Sequence, residues 1–470
     1  MPGDYCGSGA SVAVACRREE HGPGGGRVPE NADAATGAGA GVNRGARRVQ
    51  AVYFTLLTGN TLAASFIWGV NTLFLLDAGL SNLEAFAANA FFSLGMLIFE
   101  VPTGVVADTL GRRVSYLLGT VTLAATTVLY YLLWVVEGPF WAWAVVSVLL
   151  GLGFTFFSGA VEAWLVDALT ATGYRGDLER VFGRGLAVSG AAMFVGSLAG
   201  GALAQLTNLG VPFLVRAGIL VVMFVVAALV MRDLGFTPEG RAHPIRATKE
   251  VVRASLKYGL GVRSVRYVMF ASFFTSGVGF YVFYALQPYL VELWGDAGAY
   301  SIAGLAAAIL SGSQVIGGWM APWVRNRFRK RTTTIILSLV VSTGVLVALG
   351  LTRSFWVALV LLVVWGLVDA AAGPVQQAYL NDMIPSRQRA TVLSFDSLLG
   401  SSGGAVIQPV LGRSADLWGY PGSLVLSGAF QVLAVPFLWL SRRQQAPADV
   451  SAGGALDAPT DAAVPDGPLP

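Results

Sequence analysis

Along most of its length the chain alternates long apolar stretches with short polar ones. About twelve of these stretches reach the ~20 residues that an α-helix needs to cross ~30 Å of hydrocarbon. They fall, to within a few residues, at 52–76, 84–106, 114–136, 140–168, 181–206, 212–231, 264–291, 300–323, 333–351, 355–379, 391–413 and 421–440. Each is expected to be helical, because a segment in lipid must satisfy its own backbone hydrogen bonds. The one long polar interruption, 232–263, lies in the middle and divides the spans six and six. The predicted fold class is an all-α polytopic membrane protein of about twelve transmembrane helices in two six-helix repeats. An N-terminal bundle occupies 50–231, a central loop 232–263 and a C-terminal bundle 264–441. Residues 1–49 and 442–470 are rich in Gly, Ala, Pro and Asp with little to bury, and are read as disordered tails.

Composition agrees with the pattern and removes whole classes of function. The 470 residues are 55% hydrophobic and only 12% charged, with a mean hydropathy of +0.64, where ordinary soluble domains carry about a quarter charged residues. The two cysteines, Cys6 and Cys16, and the two histidines, His21 and His243, all lie outside the apolar segments. Zinc chemistry and Ser/His/Asp catalysis within the membrane therefore lack their ligands and bases, and no cofactor or metal is expected. Ser11–Cys16 is too short for a signal-peptide core and no basic residue precedes it, so the first span is expected to act as its own signal. A chain starting near Arg44 is accordingly expected to insert and function.

Charge sets orientation. With both tails on the cytoplasmic side, all but three of the 31 Lys and Arg residues are cytoplasmic, the exceptions being Arg216, Arg353 and Arg413. The protein is thus expected in the cell (inner, cytoplasmic) membrane with both termini inside. The basic run Arg325–Arg331 is an inside anchor between two spans, not a nucleic-acid patch.

The halves resemble each other. Glu162-Ala-Trp-Leu-Val-Asp167 aligns with Gln377-Ala-Tyr-Leu-Asn-Asp382 at an offset of 215, and Phe99-Glu100 through Gly104 with Ser313-Gln314 through Gly318 at an offset of 214. Two matches at nearly one offset indicate an internal duplication. Parallel six-helix repeats with a site between them are a transporter architecture.

Between the second and third spans runs Gly104-Val-Val-Ala-Asp108-Thr-Leu-Gly111-Arg112-Arg113. It resembles the G-x-x-x-D-x-x-G-R-[RK] signature of the major facilitator superfamily, and with the six-plus-six plan the resemblance covers about Gln50 to Ser441. Gly104 and Gly111 permit close helix approach and a tight turn. Asp108 can accept hydrogen bonds from a helix N-terminus, and the arginines can pair with acids on an adjoining helix. The resemblance implies that Gly104, Asp108, Gly111 and Arg112 latch one conformation of a carrier, with Asp167 as partner and Arg113 fixing topology. The second half has Pro322 where the Asp would stand, so any matching latch there must use other groups.

The fifth span carries Gly183, Ala192, Gly196-Ser197 and Gly200-Gly201, similar to the G-x8-G-x3-G-P-x2-G-G signature of drug:proton antiporters, with Ala192 and Ser197 replacing a Gly and the Pro. The alternative is packing of small residues between helices.

Acids within spans are costly and invite a functional reading. Asp369 lies near mid-bilayer in the tenth span, while Glu162 and Glu100 lie nearer the inner face. In the family the first, fourth, seventh and tenth helices line the cavity, which makes Asp369 and Glu162 the stronger proton-coupling candidates. The structural alternatives are a helix–helix hydrogen bond for Asp369, a link to Arg180 or Arg184 for Glu162, and support of the turn before Asp108 for Glu100. Asn60, Trp68 and Asn71 in the first span, and Phe280, Tyr281, Tyr284 and Gln287 in the aromatic seventh, are candidates to line an apolar substrate cavity.

The function read from these features is secondary active transport of a small molecule, with proton-coupled export of lipophilic or drug-like compounds as the first reading. Import of a small nutrient by a symporter or facilitator is the alternative. The partners implied are the substrate, protons and the bilayer, with no nucleic acid and a functional monomer.

Overall fold

The computed structural model describes residues 34–238, 261–384 and 389–450. Most of the predicted tails, the core of the central loop, and with them both cysteines and both histidines, lie outside the described residues. Among these described residues fourteen α-helices follow one another: α1 (Ala34–Trp68), α2 (Asn71–Asp77), α3 (Asn82–Leu110), α4 (Arg112–Val135), α5 (Phe140–Thr155), α6 (Ala160–Ala171), α7 (Leu178–Leu206), α8 (Val211–Val230), α9 (Arg263–Trp294), α10 (Tyr300–Asn326), α11 (Arg331–Leu351), α12 (Phe355–Met383), α13 (Arg389–Val432) and α14 (Ala434–Arg443). Eleven helical stretches are long and apolar enough to span a membrane. The last, Phe395–Arg443, contains Gly419 at φ 70°, ψ 175°, a conformation open to glycine that bends the chain back on itself. It therefore makes two crossings, and the total is twelve.

Three crossings are discontinuous where the sequence pattern reads one continuous helix, the twelfth at Leu433 between α13 and α14. The first breaks at Gly69–Val70, between α1 and α2. The fourth breaks at 156–159, between α5 and α6, where Gly159 takes a left-handed φ of 68°. Hydropathy is blind to such breaks because the residues remain apolar or small on both sides. Helix ends are signed locally: Ser81 and Glu84 form a capping box at the start of α3, and Asp177 accepts from the Glu179 and Arg180 amides at the start of α7.

Packing repeats across the halves. The first crossing packs on the fifth as the seventh does on the eleventh, the second on the fourth as the eighth on the tenth, and the third on the sixth as the ninth on the twelfth. Between halves, α3 meets α13 and α7 meets α10, which are the same pairing seen from each repeat.

Both bundles extend further than the hydropathy pattern predicts. Helix α1 begins at Ala34, with Ala46 and Val49 buried. At the other end α14 runs to Arg443, and Asp449, only 2% exposed, accepts hydrogen bonds from the Thr332 amide and hydroxyl at 2.8 Å each. That carboxylate caps the start of α11 from 117 residues away. Asp449→Ala is expected to leave the protein folded but to lower its thermal midpoint, the lost cap costing about 1 kcal/mol. A melting curve in detergent checks this, and an unshifted midpoint would contradict the capping role.

Candidate functional site

Two sites follow from the way the halves meet, one at each end of the bundle. At the basic end, Gly111 alone joins α3 to α4 with φ 106°, and a side chain there would strike the Asp233 carboxylate. Arg112 pairs with Asp108 one turn back and reaches Asp167 of α6, with Nε to Oδ2 at 4.0 Å. The Phe236 ring lies 6.0 Å from its guanidinium carbon. The expected partners Asp108, Gly111, Arg112 and Asp167 are thus brought together.

One expected role moves to another residue. The carboxylate that accepts from a helix N-terminus is Asp233, which takes the Arg113 amide at 2.9 Å. Arg113 does more than set topology, since its guanidinium donates to the Ala228 carbonyl at 2.6 Å. Burial pushes the Asp233 carboxyl above its usual range, while the Arg113 amide and the neighbouring guanidinium groups pull it back. Gly104 has nothing within 4 Å of a side-chain position, so no helix approaches it in this conformation.

The second half carries a matching arrangement built from different sequence. Arg331 at the start of α11 pairs with Asp382 at 2.7 Å, as Arg112 reaches Asp167, and Asp449 caps Thr332 as Asp233 caps Arg113. Among the described residues no hydrogen bond or ion pair joins one of these clusters to the other half.

At the opposite end the halves are stitched together. Asp416 of α13 accepts from the Asn82 and Leu83 amides at 2.9 Å each, capping the start of α3 across the interface, and Tyr420 donates to the Asn82 side chain. Thr72 donates to the Tyr284 carbonyl at 3.1 Å, Gln287 to the Trp68 carbonyl at 2.6 Å, and the Ser301 amide to Gln205 at 3.1 Å. Gly201 and Gly304 meet backbone to backbone. Every hydrogen bond between the halves among the described residues lies at this end.

The acids separate clearly. Asp369 is exposed yet deep within the protein and makes no hydrogen bond or ion pair among the described residues. Gly373, one turn on, also faces open space, so this stripe of α12 borders a gap inside the molecule. The helix–helix hydrogen bond considered for Asp369 is not made. Glu162 is exposed near Tyr53 and unpaired among the described residues, and the link to Arg180 or Arg184 is not made, Arg180 pairing instead with Asp177 at 3.3 Å. Glu100 accepts from Ser158 at 2.6 Å, which ties α3 to the break in the fourth crossing.

Of the cavity candidates, several are used up by packing. Asn71 donates to Asn89 at 3.0 Å within the first half, and Tyr281 is fully buried, donating to Ser423 and packed on Phe86. Gln287 is buried in the seam and leaves its Oε1 unpartnered. Phe280 lies beside Gly404 of α13 and is 43% exposed. Asn60, held by the Tyr116 hydroxyl at 3.1 Å, lines a small internal cavity. Trp68 stacks on Phe154 at 6.4 Å, and Tyr284 lies partly buried at the seam. Of the fifth-span glycines, Gly196 and Gly200 pack against the first crossing and Gly201 against Gly304, while Gly183 has nothing within 4 Å of a side-chain position.

The sequence pattern passed over four groups: Asp233, Asp416, Arg216 and Asp396. Asp396 of α13 sits beside Ser272, to which Gln376 also donates, and keeps one oxygen unpartnered. Each is a charge in or beside an apolar run, and that is the one signal the sequence offered.

The model of the Major Facilitator Superfamily matches residues 53–406, and matches again at 269–464. The chain belongs to the major facilitator superfamily. The second match starts just inside the seventh crossing, in keeping with the internal repeat. The MFS-type transporter YxaM of Bacillus subtilis (strain 168) is 24% identical over 395 residues, covering 81% of this chain and 92% of its own. Among solved structures, the nucleoside transporter NupG superposes with a TM-score of 0.70 at 9% identity, covering 84% of this chain and 99% of its own. A bacterial homologue of the human lysosomal transporter Spinster, inward-facing and occupied, gives 0.64 at 15% identity, covering 86% and 98%. Peptide transporter POT with sulfate gives 0.66 at 14% identity, covering 86% and 96%. The solved structures show that the fold is the superfamily's, and the family match makes the chain a member of a superfamily of transporters.

Proposed function

We propose that this superfamily member is a proton-coupled secondary transporter that exports small lipophilic or drug-like compounds across the cell membrane by alternating access. The observation that carries the reading is Asp369, an unpaired acid bordering an internal gap while the halves are sealed at one end only. A carboxyl on the wall of such a gap is reached by water while the path is open and loses it when the path closes, so it can exchange a proton once in each cycle. The basic end is the cytoplasmic one by its charge, so the conformation described is open inward, ready to load from the cytoplasm. The carrier acts as a monomer, since both repeats that frame the path are in one chain.

The test is a panel of lipophilic compounds offered to inside-out vesicles with an imposed pH gradient. Uptake driven by an acidic lumen is the expected result. Uptake driven by an acidic exterior would favour the importing symporter, and uptake indifferent to pH the facilitator.

The cluster around Arg112 is the latch of the opposite, outward-open state. In the inward-open state Asp108 is engaged, among the described residues, only by Arg112 across the Gly111 turn, a partly exposed pair that contributes roughly 0–1 kcal/mol. When the basic ends close, its carboxylate becomes available to donors of the second half. Asp108→Asn is therefore expected to keep the protein in the membrane and shift the balance toward inward-open by about five- to thirty-fold. Cysteine labelling at the two mouths of the path reads this shift, and unchanged labelling with unchanged transport would remove the latch role.

A further inference from the structure

Arg216, a turn and a half into α8, is 1% exposed and has no hydrogen-bond partner or ion pair among the described residues. No carboxylate faces it. The groups around it are the Phe154 ring, 5.8 Å from the guanidinium carbon, and the phenols of Tyr130 and Tyr284. Tyr130 belongs to α4 and is engaged with Ser147, and Tyr284 belongs to α9 of the second half. The guanidinium thus sits at the seam between the halves, beside the stacked pair of Phe154 and Trp68.

Buried arginines in a membrane are almost always paired, because removing a cation from water without a counter-charge is costly. Arg216 also lines a cavity of about 30 Å³ with Asn60, Ala64, Leu123, Phe154 and Leu220. That is room for roughly two to three water-sized groups, enough for an anionic head but not for a whole organic molecule. Its walls are apolar apart from Asn60, so the cavity offers one cation, one amide and aromatic faces.

We propose that Arg216 is a recognition group for the carboxylate of an amphipathic organic acid, whose apolar body lies against the aromatic residues Phe154, Trp68 and Tyr284. A planar guanidinium meets a carboxylate through two parallel hydrogen bonds, which fits an unpartnered fork in a confined space. The assignment rests on the reading that the space between the halves carries substrate, and it narrows that substrate to acids.

The experiment measures binding and not transport, so the two readings fail separately. Isothermal titration of the full-length protein in detergent compares 4-phenylbutanoate with its neutral isostere 4-phenylbutanamide. The parent is expected to bind the acid at least about tenfold more tightly, Arg216→Lys to keep part of that preference, and Arg216→Gln to lose it. Arg413→Gln, an exposed basic residue at the sealed end, is expected to keep it whole. Without ligand, Arg216→Met is expected to melt at or above the parent temperature, because it removes a charge that the protein itself does not satisfy. No acid preference in the parent, including no binding at all, overturns the proposal. So does an equal preference in Arg216→Gln, or a steep fall in the ligand-free midpoint of Arg216→Met, which would mark the charge as structural. Absence of pH-driven uptake with the acid preference intact would instead count against proton coupling alone.

Discussion

Replacing Asp416 with alanine is expected to open the sealed end of this transporter and shift it away from the conformation described, which is closed at that end. Its carboxylate receives the Asn82 and Leu83 amides at 2.9 Å each, two donors at the free start of α3 that have no partner in their own helix. Hydrogen bonds to a charged acceptor contribute about 1.5–3 kcal/mol apiece when buried. Partial exposure reduces that, and about 2–4 kcal/mol for the pair corresponds to a shift of roughly 30- to 1,000-fold between the two states. The contact exists only while the halves are joined at this end, so its whole value bears on the conformational equilibrium. Asp416→Asn, which can accept one amide and opposes the other with its own N–H groups, should fall between parent and alanine.

Leu73 offers a reporter, since it packs against the hydrophobic clusters of both halves. With Cys6 and Cys16 changed to serine, a Leu73→Cys background would be labelled slowly by a membrane-impermeant maleimide from the side opposite the basic end. Adding Asp416→Ala should speed labelling by at least an order of magnitude. Labelling at the parent rate would show that the remaining seam, Thr72 with Tyr284 and Gln287 with Trp68, holds the gate without the cap.

Asp369→Asn is expected to abolish accumulation while sparing downhill exchange. Asparagine keeps the size and most of the polarity of the side chain but cannot carry a proton. For one proton per cycle, each pH unit across the membrane supports about tenfold accumulation, or 1.36 kcal/mol. In vesicles with a gradient of two units the parent ratio should reach up to about a hundred, and the mutant ratio should stay near one. Counterflow of labelled substrate should persist in the mutant. If Asp369→Asn concentrates substrate as the parent does, the coupling group is elsewhere, and Glu162, exposed and unpaired toward the basic end, is next. If the mutant fails to reach the membrane, Asp369 serves the fold.

How much of this could be read in advance differs residue by residue. The turn at Gly111 and the gathering of Asp108, Arg112 and Asp167 were legible because their partners are close in sequence or announced by a motif. The symmetry of the repeats was legible in two short alignments. Asp382 stands opposite Asp167 in one of those alignments, but its partner Arg331 and the Asp449 cap lie outside both aligned stretches, so neither alignment displayed the contacts themselves. Asn71 and Tyr281 have the chemistry of a polar or aromatic cavity lining, yet each had a partner on a neighbouring helix, Asn89 and Ser423, that only packing could supply.

By itself the sequence determined that this chain crosses a membrane about twelve times, that its two halves are copies of one plan, and that its basic loops share one face. Those conclusions rest on local physics: hydrocarbon leaves a backbone no choice but helix, and lysine and arginine are costly to translocate. The tertiary structure alone decided which end of the bundle is sealed, that Asp416 helps close it, that Asp233 and Asp449 cap helices about 120 residues away, and that Arg216 is buried with no hydrogen-bond or ion-pair partner among the described residues. A helical repeat of 3.6 residues puts a side chain on a face of its own helix. Which neighbour that face meets, and whether it meets a partner or a gap, is set by the packing of all twelve crossings together.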